Sequence, residues 1–125
     1  MEGSMSILLV DDHPELLKNL SLALETAGYN TITANDGIEA LAALQSRHVD
    51  LILSDIKMPG MNGYQLYQGV RENPSWTTIP FLFLTAYGKD VTINLDHQGQ
   101  AIPYLAKPIR VKQLLSVLQD TLQHH

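Results

Sequence analysis

Residues 7 to 14 read ILLVDDHP, four apolar residues followed by two adjacent carboxylates, Asp11 and Asp12. A third carboxylate, Asp55, closes another apolar run in LILSDIKMPG. Two unit charges about 4 Å apart repel by ~1 kcal/mol in water and ~4 kcal/mol at an effective dielectric of 20, so three acids brought together call for a cation. The donors on offer are oxygens, with no cysteine in the chain and no His-rich spacing nearby. That selects a hard ion, Mg²⁺ or Mn²⁺, which keeps several waters and commonly a phosphate oxygen. Two more apolar runs end on reactive groups, FLFLTA on Thr85 and YLAKPI on Lys107. An acid nucleophile, a metal, an ammonium and a hydroxyl donor together are what phosphoryl transfer to a carboxylate uses.

Each of these residues also has a simpler role. D-H-P-E places Asp12 as a helix N-cap, with Pro14 in the first turn and Glu15 three residues on. Asp55 taken alone reads as a strand-end turn residue. Threonine is common in strands, and a strand-end lysine is more often a solvated or paired charge. His13, with no second histidine near it, reads as solvent-facing rather than as a metal ligand. The simpler roles fail jointly: the cap cannot account for Asp11 or Asp55.

The elements that must position these groups follow from the hydrophobic pattern. Apolar runs recur at 7–10, 30–34, 49–54, 79–84 and 101–105, separated by helical patterns, which predicts an alternating β/α chain. Leu16, Leu20, Ala23 and Ala27 mark one helical face; Ile38, Leu41, Ala42 and Leu44 mark a second. Gly63, Leu66, Tyr67 and Val70 mark a third, and Val111, Leu114, Leu115, Leu118 and Leu122 the last. Residues 88–99 alternate in a strand-like way, but their length and position call for a crossover helix. The fully apolar strands 1, 3 and 4 belong in the middle of a sheet covered on both faces. Strand 2 alternates threonine with apolar residues, and strand 5 carries Pro103, so both are edges. Right-handed crossovers then give a doubly wound, five-stranded parallel sheet, order 2-1-3-4-5, flavodoxin-like, with helices on both faces. In such a sheet the carboxyl ends of strands 1 and 3 flank the crevice where ligands bind, and Asp11, Asp12 and Asp55 lie there.

Composition bounds the rest. A chain of 125 residues suits one domain with a single core. Its formal charge of -5 and scattered basic residues argue against nucleic acid as a partner. Its apolar runs are too short for a membrane span, and MEGSMS lacks a signal-peptide pattern, so a cytoplasmic protein is expected. Residues 1–4 read as an expression remnant before a natural start at Met5, and 124–125 as a tag remnant, leaving 5–123 as the domain.

VDD at 10–12, DIKMPGMNG at 55–63, LTA at 84–86 and YLAKP at 104–108 stand in order and at spacings similar to those of the receiver domains of two-component response regulators. The resemblance covers residues 5 to about 123. It implies that Asp55 accepts a phosphoryl group from a histidine kinase or histidine phosphotransfer protein. It implies that Asp12, Asp55 and the backbone carbonyl of Lys57 hold Mg²⁺, with Asp11 acting largely through water. Lys107 would contact the phosphoryl group, Thr85 would be the switch hydroxyl and Tyr104 the switch aromatic. The Lys107–Pro108 bond would be cis, and the surface of the fourth helix, fifth strand and last helix would change its affinity for an output domain or downstream protein. Such a domain is not an enzyme in the ordinary sense, although it promotes its own phosphorylation and dephosphorylation.

Pro103 departs from the family pattern, because many DNA-binding regulators carry an acidic residue there for dimer contacts. Lys57 and Tyr87 stand where the family controls hydrolytic water, and neither orients that water well, so a long-lived phosphoaspartate is expected. A haloacid-dehalogenase-like phosphohydrolase is the alternative, but it wants an acid two residues beyond its nucleophile, where this chain has Lys57. A phosphorylation-independent interaction module is a second alternative, disfavoured by the intact site residues. Of the remaining aromatics, Tyr64 and Tyr67 are expected to pack on the third helix and Trp76 to cover a loop.

Overall fold

The computed structural model describes residues 5–85 and 103–123, with only the backbone of Thr85. Tyr87 and the helix expected over 88–99 lie outside the described residues. The described elements are β1 (Ser6–Val10), α1 (Pro14–Thr26), β2 (Asn30–Ala34), α2 (Gly37–Ser46), β3 (Leu51–Asp55), α3 (Gly63–Glu72), β4 (Phe81–Thr85), β5 (Tyr104–Ala106) and α4 (Val111–Gln123). Every strand pairing is parallel, and the order is β2-β1-β3-β4-β5.

Alternation along the central strands divides their side chains between two cores. Leu8, Val10, Ile32, Ile52, Phe81 and Phe83 face α2 and α3, where they meet Ala40, Leu44, Leu66, Tyr67 and Val70. Ile7, Leu9, Leu51, Leu53, Leu82 and Leu84 face α1 and α4, where they meet Leu17, Leu20, Leu24, Leu114 and Leu118. β1 and β3 are buried almost throughout, while β2 and β5 alternate buried and exposed positions as edges do. The carbonyl of Pro103 accepts from the Phe83 N–H at 3.0 Å, so the proline enters the ladder through the one group it can offer.

Two helical faces differ from those expected. On α1 the buried residues are Leu17, Leu20 and Leu24, not the Leu16, Leu20, Ala23, Ala27 stripe; Ala27 is the exposed C-cap. Both phases offered apolar residues, and the phase with three leucines buries more apolar area. On α2 the buried residues are Gly37, Ala40 and Leu44, whereas Ile38 is 66% exposed. Small residues let this helix lie close to its neighbours: a Cβ on Gly37 would come within 2.7 Å of the Met61 sulfur. α3 buries Gly63, Leu66, Tyr67 and Val70 as expected, and Tyr64 and Tyr67 of that helix stack edge-on against Phe83 and Phe81. On α4 Leu114 and Leu118 are buried, and Val111 is about half exposed. Among the described residues, no helix is long and apolar enough to cross a membrane.

Candidate metal and phosphoryl site

β1 ends at Val10 and delivers Asp11 to the carboxyl edge of the sheet, where its N–H donates to the Ala34 carbonyl of β2. β3, paired with β1 on one side and β4 on the other, ends on Asp55 at the same edge. The turn after Asp55 is held tightly. Gly63 donates its N–H to the Ile56 carbonyl, and a Cβ at Gly63 would collide with the Asp55 carbonyl oxygen. Only glycine allows α3 to start this close to the strand end, which fixes the backbone behind Asp55.

The acids meet as their spacing suggested. One ligand atom from each of Asp11, Asp12, His13 and Asp55 lies within 4.8 Å of every other. Asp11 is fully buried and both its oxygens are engaged. Oδ1 accepts from the His13 N–H at 3.0 Å and from His13 Nδ1 at 2.7 Å, while Oδ2 accepts from Lys107 Nζ at 2.9 Å. Lys107 Nζ also stands 3.5 Å from Asp55 Oδ2, so one ammonium bridges two strand ends. Asp55 Oδ1 accepts from the Ile56 N–H at 2.8 Å. Burial, then the charge of Asp11, pushes the Asp55 carboxyl above the usual carboxylate range, against the pull of Lys107.

Asp12 is different. Its Oδ1 is buried with no hydrogen-bond partner; His13 Nδ1 lies 3.2 Å away, but it is directed at Asp11. Nor does Asp12 cap α1, since the N-cap residue is His13, which makes no side-chain cap bond. The cap reading is therefore corrected: with Pro14 opening the helix, the capping position falls one residue later than D-H-P-E suggests. A buried carboxylate oxygen that accepts no hydrogen bond, beside two further carboxylates, is the donor chemistry a hard cation fits, because a buried polar atom without a hydrogen bond is costly.

His13 was expected to face solvent. Its side chain is 66% exposed, yet its ring turns back onto the acids. The hydrogen bond to Asp11, then the charges of Asp11 and Asp12, hold its imidazole above its ordinary pKa. A lone histidine beside two acids carries too little pattern to reveal this. Lys57 is exposed and, with Asp12, Ile56, Met58, Pro59, Asn62 and Tyr64, lines a cleft of about 570 Å³ beside the acids. The backbone of Thr85 ends β4 opposite Ala106, and Tyr104 opens β5 opposite Phe83, about half exposed. The Lys107–Pro108 bond is cis.

Residues 7–119 match the model of the response regulator receiver domain. The chain is 45% identical over 118 residues to the sensor histidine kinase RcsC of Escherichia coli, covering 94% of this chain and 12% of that protein. It is 36% identical over 118 residues to the E. coli transcriptional regulatory protein GlrR, covering 94% of this chain and 26% of that one. It thus spans only about a quarter of one relative and about an eighth of the other. The solved receiver domain of a Pseudomonas aeruginosa sensor histidine kinase, described with a magnesium ion coordinated in its active-site cleft, superposes with a TM-score of 0.86. That match has 28% identity and covers 97% of this chain and 99% of that one. Motifs, strand order, acid cluster and family match agree: the chain belongs to the response regulator receiver domain family of two-component signalling.

Proposed function

We propose that this domain takes a phosphoryl group from a phosphohistidine of a histidine kinase or phosphotransfer protein onto Asp55. The observation that carries the reading is the buried oxygen of Asp12 that accepts no hydrogen bond, beside Asp11 and Asp55, with Lys107 reaching across. Mg²⁺ suits Asp12, Asp55 and the Lys57 carbonyl, with Asp11 acting through water; when bound, it supplies positive charge against the carboxylates and the phosphoryl oxygens.

The chain's own residues then do the positioning. Ile56 N–H fixes one oxygen of Asp55, and the bond between an Asp55 oxygen and phosphorus forms as the phosphorus–nitrogen bond of the donor breaks, its electron pair returning to the imidazole. Lys107 moves from Asp11 toward the transferred group and pairs with its oxygens. Thr85 donates its hydroxyl to the new phosphate, and Tyr104 shifts in response, altering the β5–α4 surface that an output domain or downstream protein reads. Residues 5–123 form this domain, and its setting is cytoplasmic.

The test is intact-mass analysis after incubation with acetyl phosphate. One phosphoryl group per chain is expected, only with a divalent cation, and none in Asp55→Asn. Unchanged labelling of Asp55→Asn would overturn the assignment.

A further inference from the structure

We propose that His13 is a nitrogen ligand of the same cation site, widening its range from magnesium to transition ions such as Co²⁺ and Zn²⁺. This rests on reading Asp11, Asp12 and Asp55 as the cation site. The geometry argues for it. His13 Nδ1 lies 2.7 Å from Asp11 Oδ1 and 3.2 Å from Asp12 Oδ1. With metal–ligand bonds of about 2.1 Å, neighbouring ligands sit about 3.0 Å apart at right angles and about 3.4 Å apart in a tetrahedron. Nδ1 is therefore already spaced from the Asp12 oxygen as two ligands of one ion are, and that oxygen has no hydrogen bond to give up. The hydrogen that Nδ1 now donates to Asp11 is what an ion would replace.

The ring is also available for the task. His13 occupies the N-cap of α1 with extended backbone (φ -107, ψ 102), yet it makes no side-chain cap bond, so ligation costs the helix nothing it now has. Exposure of the side chain leaves the ion a path from solvent. Ion choice follows from ligand chemistry: imidazole suits zinc, copper, iron and nickel, whereas Mg²⁺ keeps to oxygen and leaves Nδ1 aside.

The test uses the full chain with His124→Ala and His125→Ala in every sample, so that this pair supplies no competing nitrogen. Mg²⁺ is titrated by calorimetry and Co²⁺ by its visible absorption, in this parent, in His13→Ala and in Asp12→Ala. Loss of even an outer partner of a metal ligand costs 10–100-fold in affinity, so His13→Ala should weaken Co²⁺ by about tenfold or more and change its visible bands. Mg²⁺ affinity should stay within about threefold of the parent. Unchanged Co²⁺ binding, or an equal loss for both ions, would overturn the proposal, the second by showing that His13 merely orients Asp11. Asp12→Ala separates the two readings: it should weaken both ions, and unchanged Mg²⁺ binding there would instead overturn the cation site itself.

Discussion

Two carboxylate–histidine groupings sit at opposite ends of the same sheet, and they are built to opposite ends. At the amino edge, Asp50 Oδ2 accepts from the Ser6 N–H at 2.8 Å and Asp50 Oδ1 from His48 Nε2 at 2.7 Å. Both oxygens are used, and they tie the start of β1 to the turn before β3. At the carboxyl edge, Asp11, Asp12 and Asp55 share one lysine and one histidine, and an Asp12 oxygen accepts no hydrogen bond. Helix starts repeat the contrast. Asn62 and Gln65 close a reciprocal capping box on α3, and Asp36 accepts from the Glu39 N–H on α2, but Asp12 leaves the α1 backbone unserved. This chain satisfies its acids where they hold structure and leaves one Asp12 oxygen without a hydrogen bond where the proposed cation would sit.

The contrast can be broken by metal. A ligand that binds only the folded state stabilises it by ~2.7 kcal/mol at a hundredfold excess over its Kd. Saturating Mg²⁺ should therefore raise the Tm of the wild type and of Asp50→Ala, and leave Asp12→Ala unmoved. A metal response that survives in Asp12→Ala would erase the distinction. At the other end, Asp50→Ala strands the Ser6 N–H and should cost about 1–3 kcal/mol in chemical denaturation, with or without metal. A cost near zero would mean that the amino-edge grouping is decoration.

The smallest expected effect is kinetic. Lys57, beside Asp12 in the cleft, can pair with phosphoryl oxygens, whereas an amide or acid there could orient a hydrolytic water. Lys57→Asn with Tyr87→Glu should speed loss of the phosphoryl group several-fold, about 1 kcal/mol in the barrier. Equal or slower decay in the double variant would remove this role.

Much of this was legible in the sequence, for reasons that differ by element. Strand order followed from which runs were apolar throughout: β1, β3 and β4 need cover on both faces, whereas Thr31, Thr33 and Pro103 mark edges. Asp11, Asp12, Asp55 and Lys107 were legible because each stands within two residues of the end of an apolar run. The faces of α1 and α2 were not, since leucine and alanine occupy more than one phase and periodicity cannot choose between them. Packing chose: leucine volume on α1, small residues on α2. His13 was illegible for another reason, because a lone histidine beside two acids carries no spacing pattern that says which way its ring turns.

The most direct test compares metal-free melting of Asp12→Asn and Asp50→Asn with the wild type. Asp12→Asn removes a charge from a crowded cluster and gives up no hydrogen bond at its buried oxygen, so its Tm should equal or exceed that of the wild type. Asp50→Asn should melt lower, having weakened two hydrogen bonds that the fold uses. If Asp12→Asn falls as far as Asp50→Asn, the carboxyl-edge acids serve stability like any others, and the claim that they are held ready for a cation is contradicted.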